Sequence, residues 1–175
     1  MKEVFLGFAK YNEAADKSIA DILGKLSNED REKNRKSYYG SLTELYRHII
    51  GGTVYFLGLF KEAVSDNAEA VKVLAPLAKV ELPKGKLTEE QWKKIVSGAK
   101  IADKALVDFI GALKDKDYDA QVKLGWYNGK PPSVPLRFML EQHTVHGAHH
   151  RGQISQILDS LKIENDYSGI NIKFL

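Results

Sequence analysis

The sequence predicts an all-α protein: a four-helix bundle with irregular connections. Three observations carry that prediction. Apolar residues recur at three- and four-residue steps through four long stretches of the 175-residue chain. Two of those stretches open on helix-start signals. The connections between them are uneven and broken by Gly and Pro. At this length the chain fits a single domain, 1–175.

Each element follows from its own residues. In 3–26, Phe5, Phe8, Ala9, Asn12, Ala15, Ile19, Ile22, Leu23 and Leu26 mark the first helix, which LSNED ends. The second starts near Ser41, where SLTE has the form of a capping box, Ser41 and Glu44 serving each other's backbone. It runs to about Ala63 with Leu45, His48, Gly52, Phe56 and Leu59 on one stripe. Residues 64–87 form an irregular connection, in which NAEAVKVLAPLAKV is a short helix interrupted by Pro76. TEEQ, from Thr88, caps the third helix, whose face is Trp92, Ile95, Ala99, Ala102, Leu106, Phe109, Ile110 and Leu113. A long connection follows, containing Gly129, Pro131, Pro132 and Pro135. Its AQVKLGWYNGKPPS accommodates a short extended turn, and its length leaves room for a crossover. Pro135 suits the first turn of the fourth helix, which runs to about Leu161, a rod of about 40 Å. Residues 165–175 are expected to lie along the bundle as an extended tail.

Composition narrows the function. There is no cysteine, which removes disulfides, thiolate metal sites and a cysteine nucleophile. The net charge of +3 comes from interspersed charges, and the densest basic run, REKNRK at 31–36, reads as a solvated connection. No nucleic-acid partner is expected. No apolar run reaches the ~20 residues of a membrane span, and the N-terminus lacks a signal-peptide core. The expectation is a soluble cytoplasmic protein.

Four of the five histidines lie in HTVHGAHHRGQ, 143–153. On the fourth helix the apolar stripe reads Leu136, Met139, Leu140, His143, His146, His150, Ile154, Ile157 and Leu161. His146 and His150 differ by about 40° around the axis, and His143 lies about 20° from His150. Three imidazoles therefore occupy positions where Leu or Ile normally sits, while His149 points to a flank. Burying several unpaired imidazoles is costly, and an i,i+4 pair can converge on one cation. A further ligand from a facing helix suits a bundle core. The remaining histidine, His48, lies on the stripe of the second helix, so the candidate metal set is His48, His146 and His150. His143 is a candidate fourth ligand or neighbour, and Gln153 a candidate for orienting a ligand or bonding to a bound water. Arg151 is expected to pair with a carboxylate or carbonyl. Gly147 and Gly152 reflect either close approach near the metal or tight helix packing.

HGAHHRGQISQIL resembles the HxxxHRGQ signature of the DinB-like (DinB/YfiT, DNA-damage-inducible) superfamily, matching from His146 through Gln153. YNEAADKSIADIL, GSLTELYRHIIGGTVYFL and VPLRFMLEQHTVHGAHHRGQ extend the likeness over essentially the whole chain. The resemblance implies an up-down-down-up bundle, often a homodimer, holding a divalent metal, commonly zinc or nickel, on His48, His146 and His150. It also implies a range of activities on small-molecule substrates. These include S-transfer with a low-molecular-weight thiol, and metal-dependent hydrolysis. The alternative is a non-catalytic, metal-stabilised, stress-related dimeric bundle. Three neutral imidazoles leave a cation its full charge and an open position, which suits a thiolate or water.

Overall fold

Thr88 and Ser41 start two of the long helices in different ways. In the computed structural model, which describes residues 1–126 and 128–167, Thr88 Oγ1 accepts from the Gln91 N–H, and Gln91 Oε1 accepts from the Thr88 N–H. This is the complete box that TEEQ predicts. Ser41 forms half of one. Its Oγ accepts from the Glu44 N–H at 3.1 Å, but the Glu44 carboxylate accepts from Arg47 Nε at 3.1 Å instead of reaching back. The reciprocal box expected at SLTE is corrected to a single N-cap, because a guanidinium is a stronger donor to a carboxylate than a neutral amide is.

The long helices are α1 (Lys2–Leu23), α3 (Leu42–Ala63), α5 (Glu89–Ala112) and α6 (Leu136–Ser160), with short α2 (Asn28–Glu32) and α4 (Ala68–Lys72) between them. Pro76 does separate two pieces: α4 stops at Lys72, and a 3₁₀ turn over Ala75–Lys79 carries the proline. The long connection contains a 3₁₀ turn, Asp115–Asp119, and an antiparallel pair, β1 (Gln121–Lys123) and β2 (Ser133–Pro135), with Val122 opposite Val134. Pro135 is the last residue of β2 and the N-cap of α6, so its expected first-turn place is corrected by one position.

Two apolar clusters fix the helix directions. One joins Phe5 and Ala9 of α1, Phe56 and Phe60 of α3, Leu106 and Phe109 of α5, and Leu136 and Met139 of α6. The other joins Ile19 and Leu23, Leu42 and Ile49, Trp92 and Ile95, and Ile154 and Leu158 of the same helices. Numbering runs from the first cluster to the second in α1 and α6, and the opposite way in α3 and α5. The topology is therefore up-down-down-up, with α1 packed on α5 and α6, and α3 on α5 and α6. Between the clusters, each long helix contributes buried polar side chains: Asn12 and Asp16, Thr53, Asp103, and His143, His150 and Arg151. A polar belt thus crosses the middle of the bundle between its two apolar clusters.

Other expectations need revision. Arg31 of the basic run is fully buried, because its Nη1 donates to the Leu23 and Leu26 carbonyls at the end of α1, and its guanidinium lies over Trp92 and pairs with Glu89. It is a helix-end cap, not part of a solvated run. Phe5 and Phe8 stand as their stripe predicts: Phe5 is buried and stacks on Tyr118, and Phe8 packs on the same cluster. Leu161 is exposed at the end of α6, where Leu158 takes the core position. Residues 163–167 are non-helical, and the Tyr167 carbonyl accepts from Tyr11 Oη at 2.9 Å. The rest of the predicted tail lies outside the described residues. Among the described residues, no helix is long and apolar enough to cross a membrane.

Candidate metal centre

The polar belt opens at one side between α3 and α6, and there the histidines meet. Antiparallel packing brings His48, early in α3, against the middle of α6. His48 sits at the margin of the core, half-buried beside a fully buried stripe of Leu45, Tyr46, Ile49 and Ile50. His146 is also half-buried and His150 is buried. His48 and His146 therefore stand at the edge of the core to which periodicity assigns them, where a ligand can be reached from outside, and His150 is buried beside them.

His48 Nε2 lies 3.1 Å from His146 Nε2. One ring nitrogen from each of His48, His146 and His150 falls within 4.8 Å of the others. Nitrogens about 2.0–2.1 Å from a tetrahedral zinc stand about 3.3 Å apart, so the first pair already has the spacing a cation requires. Gly52, one turn beyond His48, makes this approach possible: a Cβ there would meet His146 Cε1 at 2.8 Å. The His150 Nδ1–H donates to Gln153 Oε1 at 2.8 Å, which leaves Nε2 as the free lone pair and fixes the ring. Among the described residues, no carboxylate joins the group.

Electrostatics favour the neutral, ligand-ready imidazole. Burial, and then the neighbouring His150 and His48, lower His146 to about 4. His48 is lowered by burial, then by His150 and Arg47. His150 is lowered by burial, against the opposing hydrogen bond it donates to Gln153. Close-packed, neutral, convergent imidazoles fit a divalent cation, whose charge would replace the protons they exclude.

His143 does not join them. It is buried, its Nε2 is 3.0 Å from Thr53 Oγ1, and its ring stands edge-on to Phe56. Burial, then His146 and Arg151, lower it to about 3. It is a neutral core residue below the centre, and the fourth-ligand option has no support in this geometry. His149 is exposed on the flank, as its helical angle predicts. Arg151, fully buried, donates to Asn12 Oδ1 (2.7 Å) and Asp16 Oδ1 (3.3 Å), and its guanidinium lies over Tyr11. Gly147 makes room for that guanidinium, since a Cβ there would meet Arg151 Nη1 at 2.9 Å. The close approach at Gly147 is thus by Arg151 and not by a ligand. Gly152 faces open space, so neither reading explains it.

Two features were not found from the sequence. Tyr39, in the connection before α3, stacks on His48 with ring centroids 4.2 Å apart, and its Oη lies 2.9 Å from His48 Nε2. No periodicity marks a residue in that segment. Second, the β1–β2 hairpin roofs a cavity of about 790 Å³ whose wall includes His48 and His146.

With this geometry in place, the family follows from comparison. The sequence profile of the DinB family matches residues 1–161. The chain belongs to the DinB family. Neither a curated protein nor a solved structure matches it. The DinB bundle, with its three histidines close together, fits a metal-binding member of the family.

Proposed function

We propose that this DinB-family chain is a divalent-metal-dependent enzyme acting on a small molecule, with zinc or nickel held by His48, His146 and His150. Within that class we propose S-transfer from a low-molecular-weight thiol. The carrying observation is the convergence of three neutral imidazoles, two of which, His48 and His146, stand in the wall of a small-molecule-sized cavity. A structural metal has no need of such an opening.

A divalent cation bound there would lower the pKa of a thiol, whose proton passes to solvent, and hold the thiolate for attack on an electrophilic carbon. There the S–C bond forms as the bond to a leaving group breaks, and that group departs with the electron pair. The chain's own residues supply the setting. Gln153 holds His150 in one tautomer, and Gly52 lets His146 reach His48. Phe56 and Met139 line the cavity wall beside the imidazoles and limit water there. Tyr39 directs a hydroxyl toward the same face.

The test is a panel of thiols and electrophiles turned over by the metal-loaded protein, the chelated protein and His146→Ala. Turnover that needs both thiol and metal supports S-transfer. Thiol-independent ester or amide cleavage supports a hydrolase instead. If chelation lowers the melting temperature but no pair is turned over, the metal is structural. Homodimerisation remains part of the proposal, and sedimentation equilibrium tests it.

A further inference from the structure

We infer that the small molecule taken by this site has an apolar, preferably aromatic body and one polar reacting end. The inference rests on the proposed metal centre and extends it to substrate class.

The cavity of about 790 Å³ beside the centre falls in the range of sites that enclose small molecules. His48 and His146 form its polar end toward the centre, and Gln142, one turn before His146 on α6, adds one neutral amide, while Phe56, Met139, Leu124 and Val134 supply apolar wall. Among the described residues the one charged side chain in the lining is Arg47, and its guanidinium is engaged by Glu44. A body carrying a charge would lose its hydration there without gaining a partner.

The mouth gives an independent observation. Tyr55, Trp126 and Phe138 are 51%, 50% and 52% exposed, and all three line this cavity. Tyr55 and Trp126 meet edge to face, with centroids 5.8 Å apart. Three half-exposed aromatics gathered at one opening, from α3, the β1–β2 hairpin and α6, form an apolar rim that a single scattered residue would not. Flat rings with polar edges suit an aromatic or extended hydrocarbon body threading between them. The occupant that satisfies both ends presents its polar group to the imidazoles and its apolar body to the rim.

Hydroxamates test this, because their polar end binds an open metal position while the tail can be varied. Acetohydroxamate and 4-phenylbenzohydroxamate are titrated by calorimetry into protein carrying one zinc per chain. The biphenyl compound is expected to bind at least about tenfold tighter, the gain from burying its rings. Trp126→Ala and Phe138→Ser, both at half-exposed positions, are each expected to cut that ratio to within about threefold. Equal affinities in the wild type would overturn the inference while leaving the metal centre intact. A ratio that survives both substitutions would overturn it as well, since the tail would then lie elsewhere. If neither hydroxamate binds the zinc-loaded protein, the open position is absent, and the metal-enzyme proposal falls together with the inference.

Discussion

The Gln153 amide oxygen accepts from the His150 imidazole N–H across 2.8 Å, one helical turn along α6. The bond aims the other nitrogen of His150 at the cluster it shares with His48 and His146. Partners of this kind typically contribute 10- to 100-fold to metal affinity. Gln153→Leu is therefore expected to weaken zinc binding by about that range, and Gln153→Glu, which keeps an acceptor, to stay near wild type. Competition with a chromogenic chelator measures both.

Gly52 separates site geometry from stability. In Gly52→Ala the new methyl would stand 2.8 Å from His146 Cε1, so the ring must swing away from His48. The expected outcome is at least about tenfold weaker metal binding with little change in melting temperature, since Ala favours a helix by about 1 kcal/mol over Gly. Unchanged zinc affinity would show that His146 does not need its present position.

With the Tyr39 hydroxyl donating, Tyr39 Oη and a cation contend for one lone pair, on His48 Nε2. Removing the hydroxyl frees that pair, and a hydrogen bond worth about 1 kcal/mol corresponds to roughly fivefold. Tyr39→Phe is expected to bind zinc a few-fold more tightly, as measured by the same chelator competition. Weaker binding would place the hydroxyl among the ligands.

Arg151 ties the metal helix to α1. Its removal leaves the buried Asp16 without the guanidinium whose charge and hydrogen bond oppose the upward push of burial on its carboxyl. Arg151→Met is expected to cost about 3 kcal/mol in urea unfolding. A loss below about 1 kcal/mol would show that the belt does not depend on this pair.

His143 and His146 make acid destabilise the metal-free protein, and the raised carboxyls of Asp103 and Asp16 oppose them. His143, at about 3, and His146, at about 4, lie below the unfolded value of 6.5. Above pH 6.5 both states are neutral and these groups add no pH dependence. As pH falls from 6.5 toward 3 the unfolded chain takes up protons first, so stability is lost, by up to about 1.4 kcal/mol per pH unit for each histidine. His143→Gln is expected to flatten that slope by about one proton in urea titrations between pH 4 and 6.

The long helices and the three histidines were legible because helical periodicity is strong in amphipathic segments, and an imidazole on an apolar stripe is conspicuous. Periodicity gives an angle but not a depth. It placed His48 and His143 on the same kind of inward stripe, yet one lies at the core's edge and the other beneath it. Depth depends on which helix faces which, and that is set by packing. Local competition was also hidden: Glu44 had two partners within reach, and only the fold shows that Arg47 takes it. Tyr39 and the Trp126 rim lie in connections, whose course depends on what they pack against. Arg31 was read as solvated because a charge run carries no sign that one member turns inward to cap α1.

The central claim is that His48, His146 and His150 together hold one divalent cation. Elemental analysis of purified wild-type protein and of the three single alanine variants, after equilibration with zinc and gel filtration, tests it most directly. About one zinc per chain is expected in the wild type and almost none in each of His48→Ala, His146→Ala and His150→Ala. Full zinc content in any one of the three variants would contradict it.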